Sequence, residues 1–329
     1  MFRILHDTKY DFIKYWKVTT VVTVAWMVIG IGFLAFHGIR YSIEFTGGTL
    51  MQLQFKQPPR INDIRATVDG AGFHGSEITQ FGTNTEYTVR AAPREGQPEA
   101  SGDSTSKIIE TALTARYGDG VSVVRSEFVG PRVGAELRTK AFYAVLISFV
   151  VTLIYLAIRF EWRFGLAAVV ATAHDVLTTV AFIAMMRLEV SLTVVAAILT
   201  VIGYSLNDTI IIFDRVRENL KKQRRESLRD VMNRSVNETL PRSVLTHATT
   251  LAATLALLVF AGEVIRPFAW VMTFGIFTGT FSSIYVATAL LLWIERKWPR
   301  PTGAERKGVA RAVAEERRQT RESNVVTSR

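Results

Sequence analysis

The sequence predicts a polytopic α-helical membrane protein with six transmembrane helices and one small α+β domain, ferredoxin-like with the order βαββαβ, between helices 1 and 2. The first observation is compositional: hydrophobic residues make up 49% of the 329 residues and the mean hydropathy is +0.21, although 39 Lys and Arg are present. The second is that the apolar residues fall into long segments. Together they exclude a disordered chain and an ordinary soluble protein.

Six segments approach or exceed the roughly 20 mainly apolar residues that a helix needs to cross a membrane. They are 18–39, 141–158, 164–186, 190–213, 243–262 and 267–294. The first follows a basic N-terminal region, but its apolar run is too long for a signal peptide and no A-x-A-like cleavage site follows before Arg40. We therefore interpret it as a retained helix. Gly275 and Gly279 in the last segment have the spacing of closely packed membrane helices.

The distribution of Lys and Arg predicts the orientation, because these residues prefer the cytoplasmic side. With both termini inside, 25 of the 39 lie on the cytoplasmic side and 14 on the other. The predicted parts are a cytoplasmic N-terminus at 1–17, helix 1 at 18–39, an external domain with linkers at 40–140, helices 2–6 at 141–294 with a basic cytoplasmic loop at 214–242, and a basic cytoplasmic tail at 295–329. The net charge of +10 then fits anionic lipid at the inner surface better than nucleic acid.

The one sizeable soluble segment, residues 41–135, shows alternating strand and helix patterns. Strands are predicted at Thr49–Lys56, Glu77–Phe81, Tyr87–Ala91 and Val121–Phe128, and helices at Ile61–Ala71 and Ser106–Tyr117. This is the βαββαβ order of ferredoxin-like domains. The segment 93–106 is rich in turn-forming residues and is predicted to be mobile. With no Cys and no metal-ligand spacing, the domain is expected to be a binding surface without a cofactor or metal.

Asp208 is the strongest functional candidate, because an ionisable side chain inside a membrane span is costly and usually marks function. It lies six residues before Asp214, where the charged segment begins. At 1.5 Å per residue this places Asp208 about 9 Å below the interface. Its side chain is too short to reach water from that depth. Asn207 is a polar neighbour.

The fifth span supplies a partner for Asp208. Its apolar block, 251–262, is only about 18 Å long, less than the ~30 Å of hydrocarbon, so the polar stretch before it must also enter the membrane. Arg242, Thr246 and Thr249 fall on one helix face. Spans four and five are antiparallel, so Arg242 can approach Asp208, although counting places it near the cytoplasmic boundary and contact requires tilt or inward reach.

A pair of this kind can act as a proton switch. Burial favours the protonated form of a carboxyl group, whereas a nearby guanidinium favours the carboxylate. A change in the Asp208–Arg242 distance would therefore make Asp208 hold or release a proton. Each proton that crosses the membrane gains about 2.3 kcal/mol per 100 mV of membrane potential. The alternative is a static buried ion pair that fixes packing. Carboxylates also bind Na⁺, so the coupling ion is H⁺ or Na⁺.

Two further polar residues in the spans have alternative interpretations. Asp175, beside His174 in the middle of the third span, is either part of a relay or a hydrogen-bonded packing residue. His247, within the polar stretch of the fifth span, is interpreted as filling polar space beside threonines rather than as a ligand.

Four motifs carry a family resemblance. They are Glu44-Phe-Thr-Gly-Gly48, Phe128-Val-Gly-Pro-Arg-Val-Gly-Ala-Glu-Leu137, the run from Gly203 to Asn219 (GYSLNDTIIIFDRVREN), and Thr239-Leu-Pro-Arg-Ser-Val244. On these motifs the chain resembles the SecF branch of the SecD/SecF family of bacterial protein-export membrane subunits, within the resistance–nodulation–division superfamily. The match covers about residues 40–50 and 128–294.

The resemblance implies a multi-pass protein of the bacterial inner membrane, with both termini cytoplasmic and residues 40–140 periplasmic. It implies a partner, SecD, in a twelve-helix bundle, and association with the SecYEG channel, with SecA acting upstream. Such complexes use the proton motive force to draw a preprotein across the membrane. Asp208, Arg242 and Thr246 are implied as proton-path residues, with Asp208 the carrier.

Three other functions are weighed against this one. A proton-driven exporter of lipid or a small molecule is disfavoured because a domain of about 95 residues encloses little volume. An intramembrane aspartyl protease would use Asp175 and Asp208 as a dyad, but the sequence GYSLND lacks the glycine expected close before the catalytic Asp. The third is a passive scaffold, in which Asp208→Asn would have no effect.

Overall fold

The computed structural model describes residues 8–92, 102–222 and 226–299. Its helices and strands are α1 (Trp16–His37), α2 (Ile43–Thr46), β1 (Gly48–Phe55), α3 (Ile61–Gly70), β2 (Glu77–Gln80), β3 (Glu86–Ala91), α4 (Gly102–Tyr117), β4 (Val121–Val129), α5 (Pro131–Arg159), α6 (Trp162–Met185), α7 (Leu192–Lys222), α8 (Leu228–Phe260), α9 (Arg266–Phe281) and α10 (Thr288–Lys297). A 3₁₀ turn, Phe12–Tyr15, precedes α1, and a π-helical segment, Ser282–Ala287, joins α9 to α10.

Within the described part of the chain, six helical segments are long and apolar enough to cross a membrane. They are Phe12–His37, Pro131–Arg159, Trp162–Met185, Leu192–Lys222, Leu228–Phe260 and Arg266–Lys297. Each predicted span overlaps one of them, which confirms the number of apolar helices. The helices are generally longer than the predicted spans, because hydropathy detects only the apolar part of a helix and not its polar ends.

The segment 214–242 is the main correction to the predicted organisation, because it is largely helical and not a loop. Helix α7 continues to Lys222 and α8 begins at Leu228. Ion pairs support these charged helical ends: Glu218 lies 2.7 Å from both Arg215 and Lys222 at helical spacing, and Arg215 lies 2.6 Å from Glu238 of α8. Two predicted parts lie largely outside the described residues. They are residues 93–101 of the segment predicted to be mobile, and the predicted tail from residue 300 onward.

The soluble part forms a four-stranded antiparallel sheet with the order β2-β3-β1-β4. The sequence of elements is the predicted βαββαβ order, although α4 begins at Gly102, four residues before the predicted start. Alternate residues of β1 point to one face, where Met51, Leu53 and Phe55 are buried. Helices α3 and α4 cover that face with Ile64, Val68, Ile109 and Leu113.

The turn before β1 touches the start of α5 through backbone alone. Gly47 has φ +74°, and a Cβ at this position would lie 2.8 Å from Pro131 Cα. A Cβ at Gly134 would lie 2.9 Å from the amide nitrogen of Gly47. Only glycine permits this approach together with a positive φ. The soluble domain is therefore fixed directly to the N-terminal end of α5.

A second attachment joins the soluble domain to the turn between α6 and α7. The backbone of Val190 donates to Arg40 and accepts from Ser42, at 2.8 and 2.9 Å. Arg90 of β3 forms an ion pair with Glu189. Glu44 accepts from the amide of Leu192, the first residue of α7, at 2.6 Å, where the positive end of the helix dipole favours a carboxylate. The domain therefore contacts the start of α7 directly.

Helices α6, α7 and α9 form the centre of the membrane part, and much of α1, α5 and α8 is exposed. Helix α9 lies close to α7 because it presents glycines: a Cβ on Gly275 would lie 2.2 Å from Val201, and one on Gly279 would lie 2.9 Å from Ser205 Cβ. The close packing predicted for these two glycines is present, and it brings the polar residues of α7 against the sixth membrane helix.

Candidate functional site

Asp208 lies within the buried face of α7. The buried residues of this helix recur at helical spacing, and Asp208 falls in the same stripe as Val201, Ser205 and Ile212. Only 2% of its surface is exposed. The apolar periodicity of the sequence therefore turns a carboxyl group into the helix bundle, where α8 and α9 pack against α7.

The cation-forming side chain nearest to Asp208 is His247 of α8, whose Nε2 lies 3.5 Å from Asp208 Oδ2. Its other ring nitrogen, Nδ1, lies 2.6 Å from the main-chain oxygen of Ser243. A carbonyl oxygen only accepts hydrogen bonds, so Nδ1 carries the hydrogen. Nε2 then faces Asp208 either as an acceptor or, in the imidazolium form, as a second donor. A proton between these residues can reside on Oδ2 or on Nε2.

Three buried polar atoms meet at this point. Asp208 Oδ2, His247 Nε2 and Ser243 Oγ have no hydrogen-bond partner among the residues that the structure describes. Ser243 lies one turn before His247 on the same buried face of α8. An unsatisfied buried polar group costs on the order of 1–3 kcal/mol, so native structures retain few of them and often at functional sites. This concentration marks Asp208, His247 and Ser243 as a site.

Tyr204 holds His247 in place from α7. Its hydroxyl donates to the main-chain oxygen of Thr246 at 3.2 Å and contacts Thr250 Oγ1 at 3.0 Å. Its ring packs edge-on against the imidazole, with centroids 5.2 Å apart. Because Tyr204 lies one turn before Asp208, one helix positions both the carboxyl group and the support of its partner.

Arg242 does not contact Asp208 in this structure. It is exposed on α8 and no ion pair joins it to Asp208 within 4 Å among the described side chains. Five residues separate Arg242 from His247, which turns the two side chains about 140° apart around the helix. Arg242 still lies near enough to act on Asp208 electrostatically.

The remaining predicted residues lie on the outer side of this site. Thr246 is half-buried and donates to the main-chain oxygen of Arg242 at 2.9 Å, while Thr249 is exposed and donates to that of Thr246 at 2.9 Å. Asn207 is exposed on α7. The predicted common face of Arg242, Thr246 and Thr249 therefore exists, but it points away from the centre of this chain.

Sequence reasoning did not pair His247 with Asp208 but interpreted it as filling polar space beside threonines, whereas the structure places its Nε2 3.5 Å from Asp208 Oδ2. A signal was present: Thr239, Ser243, His247 and Thr254 form a second polar stripe on α8, and all four are buried. Small polar residues are typical of helix interfaces in membranes. That stripe, and not the one containing Arg242, faces α7.

Asp175 lies at the centre of a second buried group, which we call the Asp175 cluster: Asp175, His174, Ser205 and Ser282. Asp175 Oδ2 accepts hydrogen bonds from the hydroxyls of Ser205 and, at 2.6 Å, Ser282. Its Oδ1 lies 2.9 Å from His174 Nδ1. Helices α6 and α7 and the π-helical segment thus meet at one carboxyl group that is 1% exposed.

The Asp175 and Asp208 carboxyl groups have different partners. The contacts of Asp175 are with the other members of its cluster, and the ion pair of Asp208 is with His247. No hydrogen bond joins the two carboxyl groups among the contacts of the described residues. This arrangement disfavours the dyad of an aspartyl protease, in which two carboxyl groups share one proton.

Comparison with known proteins gives consistent matches. Residues 109–297 match the model of the protein export membrane protein SecD/SecF, C-terminal family, and residues 32–59 match the SecD/SecF GG motif. The protein translocase subunit SecF of Gemmatimonas aurantiaca is 59% identical over 95% of this chain and 94% of that protein. The subunit of the same name from Vibrio alginolyticus is 40% identical over 94% of this chain and 98% of that protein.

A solved structure has the same fold. The crystal structure of SecDF, a translocon-associated membrane protein from Thermus thermophilus, matches with a TM-score of 0.79 and 35% identity over 90% of this chain. This chain spans 40% of the length of that protein.

Proposed function

The chain belongs to the SecD/SecF family of protein-export membrane proteins, and on this premise we propose that it is an accessory subunit of the Sec machinery that uses the proton motive force, together with SecD, to promote preprotein translocation across the inner membrane. The observation that carries the proposal is Asp208, a buried carboxyl group in a membrane-length helix with His247 Nε2 at 3.5 Å. It acts without covalent catalysis and without a cofactor other than the coupling ion.

The proton path uses two arrangements of α7 and α8. In the one described here, His247 Nε2 faces Asp208 Oδ2 at 3.5 Å, and one proton on either atom leaves the pair without net charge. In the other, α8 turns or shifts so that Arg242 replaces His247 beside the carboxyl group. The guanidinium stabilises the carboxylate and the proton leaves. Thr246, whose hydroxyl is bonded to the main chain of Arg242, moves with it.

Movement of α7 reaches the soluble domain through its first turn. Glu44 accepts from the amide of Leu192, and Val190 is hydrogen-bonded on both sides to the chain before β1. Arg90 and Glu189 add an ion pair. Proton binding at Asp208 and a change in the position of the sheet are thereby linked along a single helix.

We assign the soluble domain, residues 40–140, to the periplasm and both termini to the cytoplasm of a bacterial inner membrane. The exposed faces of α1, α5 and α8 are available for SecD and lipid. SecD completes the twelve-helix bundle, as the 40% coverage of the SecDF structure supports. The complex acts at the SecYEG channel, downstream of SecA, on the emerging preprotein.

The test is preprotein import into vesicles that contain the full chain, its partner subunit and the channel, with and without a proton gradient. Asp208→Asn should assemble but lose the stimulation by the gradient. Asp214→Asn is the matched control, since the same change on the same helix removes a carboxyl group that is more than one-third exposed and is paired with Arg159 at 2.6 Å. Stimulation of the Asp208→Asn complex equal to that of the unmodified complex would refute the proposal.

The coupling ion is H⁺ in this proposal, because an Asp–His pair can exchange a proton, whereas the imidazole ring of His247 is not a ligand for Na⁺. Vesicles with a proton gradient alone should support stimulation, and vesicles with a sodium gradient alone should not. The reverse result would assign the site to Na⁺. Release of a small molecule or lipid under the same gradient, without preprotein movement, would favour an exporter instead.

A further inference from the structure

The Asp175 cluster is a second buried ionisable group in the centre of the membrane part. Asp175 is 1% exposed and His174 is 8% exposed. Three different elements supply the partners of the carboxyl group, which are His174 of α6, Ser205 of α7 and Ser282 of the π-helical segment. π-Helical turns cost stability and recur at functional sites, and this one places Ser282 against the carboxylate.

The partners of Asp175 can accommodate both its protonated and its ionised form. Asp175 Oδ1 faces His174 Nδ1, and His174 Nε2 is buried without a hydrogen-bond partner among the described residues. The Asp–His pair is neutral with one proton and carries a single negative charge when that proton leaves. Two hydroxyl donors on Oδ2 stabilise that negative form. Both states are therefore supported at the same position.

The cluster is joined to the turn of α7 that carries Asp208. Ser205 lies three residues before Asp208 on α7. The hydroxyl of Ser283 donates to the main-chain oxygen of Ser205 at 3.3 Å and lies 2.8 Å from Thr209 Oγ1. Asp175 Oδ2 accepts from both hydroxyls when the group is ionised, whereas a proton on Oδ2 makes that oxygen a donor and breaks this arrangement. Protonation therefore changes the bonds that join α6, α7 and the π-helical segment.

We propose that Asp175, with His174, is a second protonation site of this chain, and that its proton sets the hydrogen bonds linking α6, α7 and the π-helical segment one turn from Asp208. The inference rests on the proposed function of Asp208 and adds a second titrating site to it. Asp175 acts on transport through Asp208 and is therefore a positioning residue.

The other ionisable groups around the cluster define what a titration would report. His174 is in contact with Asp175, and Asp208 with His247 follows one turn beyond Ser205. The other ionisable residues of the elements packed against α6 do not contact the cluster. Some lie at or near helix ends, and these are His37 of α1, Arg159 of α5, Arg266 of α9 and Glu295 of α10. Tyr204 of α7 and Tyr285 of the π-helical segment have partners elsewhere.

The experiment is an infrared pH titration of the full chain with its partner subunit in vesicles, which follows the C=O band of protonated carboxyl groups. Asp175→Asn should remove one titrating band, and Asp175→Glu should restore one. Ser205→Ala removes a donor to the Asp175 carboxyl group, so the same band should remain but move in frequency. Thr179→Val is the matched control, because the Thr179 hydroxyl is equally buried but donates to the main-chain oxygen of Asp175 at 2.7 Å.

The outcomes separate this inference from the proposed function. An Asp175→Asn spectrum identical to that of the unmodified complex between pH 4 and pH 10, roughly the range of protein carboxyl and imidazole groups, would overturn the second site. The loss of a band in Asp175→Asn, together with normal gradient stimulation in Asp208→Asn, would keep the second site and refute the transport role of Asp208. A Thr179→Val band displaced in frequency as much as that of Ser205→Ala would reduce the Asp175 cluster to packing.

Discussion

His247 Nε2 lies 3.5 Å from Asp208 Oδ2 across the interface of α7 and α8. The opposite ring nitrogen is bonded to the main chain of Ser243, so the imidazole cannot turn away without losing that bond. A fixed ring beside a buried carboxyl group gives the proton two defined positions, and the predictions below concern how this arrangement is held and used.

Replacing His247 by Gln should reduce gradient-stimulated preprotein import by about tenfold or more, because it removes a proton-transfer partner. Glutamine keeps polar volume but cannot exchange a proton. The measurement is import into vesicles with and without a proton gradient. His37→Gln is the control, since His37 ends α1 and stacks on Phe33 with ring centroids 4.2 Å apart. Equal losses in the two variants would contradict a specific role for His247.

Arg242→Ala should leave folding nearly unchanged but abolish gradient stimulation. Arg242 is exposed and makes no ion pair within 4 Å among the described residues, so its removal should change the free energy of unfolding by only about 0.5 kcal/mol. Thermal unfolding of the purified complex measures the first effect and vesicle import the second. Normal stimulation in Arg242→Ala would show that α8 does not present the guanidinium to Asp208.

Gly279→Ala should destabilise the membrane part by about 1–3 kcal/mol, the usual cost of overpacking. The added Cβ would lie 2.9 Å from Ser205 Cβ, which must then shift. Gly203→Ala is the control, because nothing lies within 4 Å of a Cβ at that position. The lowered melting temperature should appear only in Gly279→Ala, and equal melting temperatures would mean that α7 and α9 adjust freely.

Gly134→Ala should loosen the attachment of the soluble domain to α5. A Cβ there would meet the amide nitrogen of Gly47 at 2.9 Å, backbone that cannot move aside like a side chain. Hydrogen exchange of residues 43–50 should therefore become faster. Gly130→Ala, where a Cβ meets nothing within 4 Å, should exchange like the unmodified protein. Unchanged exchange in Gly134→Ala would contradict the rigid contact.

The number of apolar helices and the order of strands and helices along residues 48–129 follow from the sequence because each depends on local periodicity. Alternating Met51, Leu53 and Phe55 mark β1 without any knowledge of its neighbours. The helical form of 214–222 and 228–242 does not follow from hydropathy, because charged residues dominate these stretches; ion pairs such as Arg215–Glu238 and a few buried side chains, Val216, Met232 and Val236, support it.

The site divides in the same way. Asp208 is identifiable from its depth in an apolar segment alone. The choice of His247 over Arg242 depends on the rotation of α8 about its axis, which the packing of Tyr204 and the polar stripe around Ser243 decide. The partners of Asp175 cannot be predicted from the sequence, because Ser282 lies 107 residues further along the chain and its position depends on a π-helical turn.

The backbone contact between Gly47 and the start of α5 makes that helix a lever. It is held to the soluble domain near Gly134, while most of its length is exposed. Its 29 residues span about 44 Å at 1.5 Å per residue. Its other end packs against α7 through Leu156, Phe160 and the Arg159–Asp214 ion pair, so a small rocking of the sheet would be carried along α5 to the turn of α7 that holds Asp214.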